Sequence, residues 1–336
     1  MNTRSFCVAL LITAVIMVPT AGCTTAGGNA PTSASSKPEK PDITVAAIPA
    51  VDLAGLYIAQ DKGLFARQGL HVIIEKIPSS QAIIADQLKG QVDISAGSYV
   101  AYISAQAAGG RFRVLAEAST LAPNTRVLVI AGTSPITTIA ELAGKKIGVN
   151  GTNSIGTLLI SALLSAHGIS TGKVAFITDP GGFPAMPRQL QDGDWGAAFL
   201  AEPYVTAAGE EYGEQVLADL DQGSVLNLPI DGYLATQAWT QQHPKTAAAF
   251  TRAIEQGQAI ANSDASAVKA AMAHYDNLPP QVTAAIALTG YPVGPVVEAS
   301  IQRVATAMLE FGILGREDTT EVEQRTLVGS MVGPGS

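Results

Sequence analysis

Short apolar runs alternate with segments of helical spacing along most of the chain. Residues 43–48, 71–77, 92–95, 112–117 and 126–130 predict strands, several of them apolar on both faces. Between them, a helix pattern runs through Leu56, Ala59 and Phe65 and stops at Gly69; Ser79 and Ser80 offer an N-cap for a helix over 81–89, and Ser98 for one over 99–108. Further on, the pattern predicts a short helix at 136–143, a strand at 146–149, a helix at 155–167 capped by Asn153 and Ser154, and strands at 174–177 and 197–200. A strand at 232–236 is followed by helices at 243–263, 265–275, 281–288 and 296–311. Strands alternating with helices of this length imply an α/β fold with mostly parallel sheets covered on both faces.

One unit of this pattern occurs twice. Residues 87–99, QLKGQVDISAGSY, return as 189–204, QLQDGDWGAAFLAEPY, so that Gly90 aligns with Gly193, Val92 with Trp195 and Ile94 with Ala197. Each copy takes a helical run through a Gly turn into an apolar strand. The separation is the size of an α/β half-domain, and two similar lobes with function between them are expected; chance likeness of two helix-turn-strand units is the alternative.

The longest apolar run, 6–18, follows Arg4 and precedes Thr20-Ala21-Gly22-Cys23. It has the charged start, apolar middle and small-residue end of an export signal and is short for a membrane span. Thr-Ala-Gly-Cys resembles a bacterial lipobox, with Thr20 where Leu is usual, which implies lipidation of Cys23 and a signal peptide at 1–22. Residues 23–41, rich in Gly, Ala, Ser, Thr and Pro, then form a flexible tether. Loss of the signal removes only Arg4 among charged side chains, so 19 basic residues face 28 acidic ones. With 47% hydrophobic and 14% charged residues and a net charge of -8, the chain is globular, and nucleic acid is not expected as a partner. Cys7 leaves with the signal and Cys23 carries the lipid, so no disulfide, thiol chemistry or Cys-based metal site is expected.

The runs LYIAQDKGLFARQGLHVIIEKI, LKGQVDISAGS, SPITTIAELAGKKIGVNGTNS and AAFLAEPY, in this order and spacing, resemble the binding proteins of ABC importers for nitrate, sulfonate, taurine and thiamine-precursor compounds. The resemblance runs from about Ile43 to Gly315. It implies the two-lobed periplasmic-binding-protein-like fold of type II, with cleft and hinge between the lobes. Lobe 1 is expected at 42–132 plus 228–328, lobe 2 at 133–227, and a loose tail at 329–336. The partners implied are a small-molecule ligand, an importer permease with its ATPase, and the membrane through the lipid; a monomer without cofactor is expected.

In open α/β sheets ligands sit beyond the carboxyl ends of the strands. That rule selects the loops holding Asp52, Ser80, Ser98, Tyr99, Asn153, Ser154, Phe183, Glu202 and Tyr204. The hydroxyls and amide lie beside exposed backbone N–H groups and suit a sulfonate, carboxylate or ring carbonyl without a cation, since few Lys or Arg fall in these loops. Tyr99, Phe183 and Tyr204 could wall a planar or apolar ligand. Asp52 and Glu202, with Asp231 a weaker third, could accept from a ligand amine or ring N–H; for Asp52 the bland reading is a turn residue bonding its own backbone.

Residues 148–156, GVNGTNSIG, lack the Lys-Ser/Thr of a phosphate loop. The histidines His71, His167, His243 and His274 are scattered, so neither a metal site nor a catalytic dyad is expected. Gly196 stands where the family usually has an Asp, matched here by Asp93, which reads as a turn or capping residue. A binding protein rather than an enzyme is expected; an enzyme of the same fold, of the thiamine-pyrimidine or menaquinone-pathway type, and a ligand-sensing domain for a membrane receptor are the alternatives.

Overall fold

The computed structural model describes residues 37–315 and 321–332. The expected signal peptide, the lipidation at Cys23 and most of the tether lie outside the described residues. Ten strands form two sheets of five. The first comprises β1 (Asp42–Ala47), β2 (His71–Lys76), β3 (Ile94–Ser98), β4 (Phe112–Thr120) and, from far along the chain, β10 (Pro229–Thr236). The second comprises β5 (Arg126–Ile130), β6 (Lys146–Val149), β7 (Ala175–Thr178), β8 (Ala197–Ala201) and β9 (Gln215–Asp219). The orders are β2-β1-β3-β10-β4 and β7-β6-β8-β5-β9. The sheets therefore match position by position, and in each the fourth strand is antiparallel to the third. The central strands β3, β5 and β8 are buried at every residue, as expected for strands covered on both faces, while the edge strands β2, β7 and β9 are part-exposed.

The repeated unit occupies corresponding places. Gly90 and Gly193 both take left-handed φ, 75° and 78°, at the turn that ends a helix, Ser80–Leu88 in one lobe and Met186–Gln191 in the other. Ile94 pairs with Val45 of β1, and Ala197 with Ile147 of β6. That register sets Gly148 where the first lobe has Ala46 and explains how Trp195 replaces Val92. A Cβ on Gly148 would lie 2.0 Å from the indole, so the missing methyl is the space the larger ring fills. Asp93 does anchor the sheet end: its carboxylate accepts from Thr44 N at 2.9 Å and Trp239 Nε1 at 2.8 Å. At Gly196 any Cβ would meet Lys145 Cβ at 2.8 Å, leaving no room for an equivalent acid.

Three expectations are corrected. The strand at 126–130 pairs with β8 and β9, so it belongs to the second sheet and the chain crosses between lobes at 121–125, ahead of the boundary expected at 132. The described part of the expected loose tail, 329–332, ends a helix, Glu321–Val332, whose Val328 and Met331 are fully buried and whose Ser330 and Val332 carbonyls accept from Gln237 and Arg113. The last tether residues are also docked: the Glu39 carboxylate accepts from the N–H groups of Lys245 and Thr246, and Lys40 pairs with Asp93. Strand β9 and the helices Tyr204–Tyr212 and Gln237–Gln242 were not foreseen. The helix expected at 136–143 shrinks to a 3-10 turn, Ile139–Leu142.

Candidate functional site

Because β5 and β10 run against their neighbours, residues at or near their starts stand beside the last residues of β8 and β3. Arg126 opposes Ala201, and Asp231 opposes Ser98. Each lobe thus delivers one charged side chain to the seam between the sheets. Arg126 Nη2 lies 2.7 Å from Asp52 Oδ2 and 3.6 Å from Asp231 Oδ2, with side-chain exposures of 3%, 0% and 9% respectively. Asp52 sits on the 3-10 turn Val51–Leu53, which leads into the helix Ala54–Asp61. It is ion-paired across the lobes, which overturns the reading as a turn residue bonded to its own backbone.

A small cavity opens beside this group. Arg126, Asp231, Ser98 and Asn150 line it together with the apolar side chains of Ile48, Leu53, Ile155 and Phe183. Arg126 Nε and Nη1, Ser98 Oγ and Asn150 Oδ1 are buried and have no protein partner. Buried polar atoms are seldom left so, and their cluster around one cavity makes it the candidate site. Burial, with the charge of Asp52, pushes the Asp231 carboxyl well above the ordinary carboxylate range, although Arg126 pulls the other way.

Of the residues expected from sequence, Ser98 and Phe183 line the cavity, as does Asp231, and Asp52 reaches it through Arg126. Ser154 is the N-cap of the helix Ile155–Ala166 beside it, in a capping box with Thr157, whose Oγ1 accepts from Ser154 N at 3.2 Å. The others are placed differently. Ser80 Oγ accepts from Ser98 N at 3.0 Å and so positions the neighbouring loop. Tyr99 is turned into the first lobe and does not wall the cleft. A Cβ on Gly232 would lie 2.5 Å from its hydroxyl, so the ring occupies the space that glycine leaves under β10. Asn153 is exposed and its carbonyl accepts from Gln81 Nε2 of the other lobe at 2.8 Å. Tyr204 is half-buried behind Phe183, ring centres 5.8 Å apart.

Glu202 is corrected most. Its carboxylate accepts from Thr206 Oγ1 at 2.7 Å, Thr206 N at 3.2 Å and Ala287 N at 3.1 Å, and its carbonyl accepts from Val51 N at 3.0 Å. It ties the second lobe to the first and has its acceptors in use. Sequence reasoning missed Arg126 and Asn150, and the expectation that the site needs no cation falls with the first. The rule of strand carboxyl ends points away from the start of a strand; an Arg opening an otherwise apolar run, RVLVI, was the available signal. Among the described residues no group of three His, Cys, Asp or Glu side chains could hold a metal ion.

Two sheets of matching order, joined by two crossings and closing over a polar cavity, define a two-lobed α/β protein of the periplasmic-binding-protein fold. The family model described as NMT1/THI5 like matches residues 50–266, and the chain belongs to that family. A relative from Escherichia coli (strain K12), named for binding aliphatic sulfonates, is 27% identical over 244 residues, 70% of this chain and 73% of that protein. Solved structures show the same fold. The alkanesulfonate-binding protein SsuA from Xanthomonas axonopodis pv. citri, bound to MOPS, aligns with a TM-score of 0.72 at 17% identity, over 87% of this chain and 98% of that one. The periplasmic nitrate-binding protein NrtA from Synechocystis PCC 6803 aligns with a TM-score of 0.75 at 16% identity, over 88% and 87%. A desulfurization enzyme, DSZB, shares the fold as well, with a TM-score of 0.61 at 14% identity, over 86% and 99%.

Proposed function

We propose that this chain is the solute-binding component of an ABC importer. A lipid on Cys23 holds it at the extracytoplasmic face of the membrane, and the tether leaves the body free in water. As a monomer it takes up a small organic molecule of the sulfonate, nitrate, amino-sulfonic acid or pyrimidine-like kind between its lobes, and presents the closed complex to the permease and its ATPase. The observation that carries the reading is Arg126, which lines the cavity at the seam of the two lobes and has its Nε and Nη1 buried without a protein partner. Closure over a ligand that supplies those acceptors is favoured over closure without one, which is how binding drives a hinge motion. The likeness to proteins named for sulfonate and nitrate binding supports an anionic group at that position.

The test is a thermal-shift and calorimetric screen of the chain from Thr24 onward against alkanesulfonates, amino-sulfonic acids, nitrate and aminopyrimidines. At least one class is expected to bind and to be recovered chemically unchanged. Arg126→Ala is expected to weaken that binding about 10- to 100-fold, the worth of hydrogen bonds to a buried charge. No shift with any class, or turnover of the bound compound, would overturn the reading.

A further inference from the structure

Asp231 on β10 and Ser98 on β3 are cross-strand partners, so their side chains stand side by side on one face of the sheet, and both line the cavity. Arg126 lines it as well. Its Nε and Nη1, like Ser98 Oγ, are buried without a protein partner. Asp52 is not a lining residue; it holds Nη2 of the guanidinium at 2.7 Å, nearer than Asp231 at 3.6 Å, and balances that positive charge. An anion that accepts from Arg126 and Ser98 therefore rests beside the Asp231 carboxylate, and the remaining lining side chains carry no charge. Two adjacent negative groups in a buried site do not both keep their charge without a second cation.

We propose that Asp231 meets an anionic ligand as its neutral acid and donates a hydrogen bond to it, a third donor beside Arg126 and Ser98, so that each anion captured brings one proton into the site. The proton comes from the surrounding water onto the Asp231 carboxylate and returns there when the ligand leaves. The proposal rests on the solute-binding reading and adds to it the control of that same site by pH. The charged and titratable groups facing Asp231 are Arg126 and Asp52 at the seam and the phenols of Tyr99 and Tyr233 in the first lobe, with Glu117 acting on Tyr99. Burial holds both phenols well above their ordinary range, so they stay neutral, and Arg126 stays charged. Burial already pushes Asp231 upward before any ligand enters, and an anion beside it pushes it further. Affinity is thus full while free Asp231 is protonated and falls as pH rises beyond that point.

The experiment is calorimetric titration with ethanesulfonate and with nitrate, which carry no titratable proton of their own, between pH ~5 and pH ~8.5 in pairs of buffers that differ in ionisation heat. Proton uptake by the natural chain should grow with pH toward one per anion bound, and affinity should fall about tenfold per pH unit where uptake is full. Asp231→Asn keeps a neutral donor. It should bind without proton uptake and with nearly constant affinity, about tenfold more tightly than the natural chain at pH ~8.5, a gain that a misfolded variant does not give. Binding of either anion without proton uptake, or with uptake that persists in Asp231→Asn, overturns the proposal and leaves the solute-binding reading standing. Binding of neither anion at any pH overturns it too, and the broader screen above then decides the solute-binding reading separately.

Discussion

Glu214 is buried with both carboxylate oxygens unpartnered, and burial pushes its carboxyl up to about 7. The unfolded chain releases this proton near pH ~4.3, so the folded state holds it more tightly. Stability contributed by that proton is therefore lost as pH rises from the ordinary carboxylate range to about 7, and stays lost above it. Calorimetric melting should show Glu214→Gln raising Tm at pH ~8 and leaving it nearly unchanged near pH ~4, a difference of a few degrees for a chain of this size. At the same scale, the sequence singled out Asp52, Ser98 and Phe183, which the fold brings to the cavity or to its arginine, because each ends or follows a strand or begins a helix. It could not tell Tyr99 from a cleft residue. Whether that ring turns outward or into the lobe depends on Gly232, far along the chain and adjacent only once β10 has paired with β3.

Strands and helices were legible wherever the apolar period was strong, and the boundaries of β6 match the expectation at 146–149. The helix Ile155–Ala166 is buried along nearly its whole length, which its run of Leu and Ile had signalled. What escaped were elements whose burial comes from a partner and not from their own pattern. Strand β9 is part-exposed along its length, and the Glu321–Val332 helix gains its buried face against β4 and the Tyr99–Ala107 and Glu298–Glu310 helices. Element packing also supports the site. The Ala54–Asp61 helix, which continues from the turn holding Asp52, crosses the Pro244–Ser263 helix where a Cβ on Gly257 would fall 2.2 Å from the Gly55 carbonyl. Gly257→Ala must push these helices apart, and urea denaturation should show a loss of about 1–3 kcal/mol, the usual range for overpacking. The shift also moves Asp52, so ligand affinity should fall in the same variant.

Across the whole molecule, the polar ties between the lobes include the Arg126–Asp52 pair, Val51 N to the Glu202 carbonyl, Ala287 N to its carboxylate, and Gln81 to the Asn153 carbonyl. Glu202→Ala removes the acceptor for Ala287 N and Thr206, at about 1–3 kcal/mol for each donor left unsatisfied. Without ligand, small-angle scattering should show a larger radius of gyration for the variant than for the natural chain. An unchanged radius would show that Glu202 does not hold the lobes together.

Two related α/β lobes can be read from the chain alone, because the apolar periods and the repeated helix-turn-strand unit are local signals that survive without any knowledge of contacts. It also carried the family resemblance and the direction of the cleft. Where the chain crosses between lobes, and which charged groups meet there, follows from the folded arrangement. Arg126, Asp52 and Asp231 are separated in the chain by 74 and 105 positions, respectively, from the first to the second and third. They meet because two strands run antiparallel to their neighbours, a pairing set by long-range hydrogen bonds that no local pattern encodes.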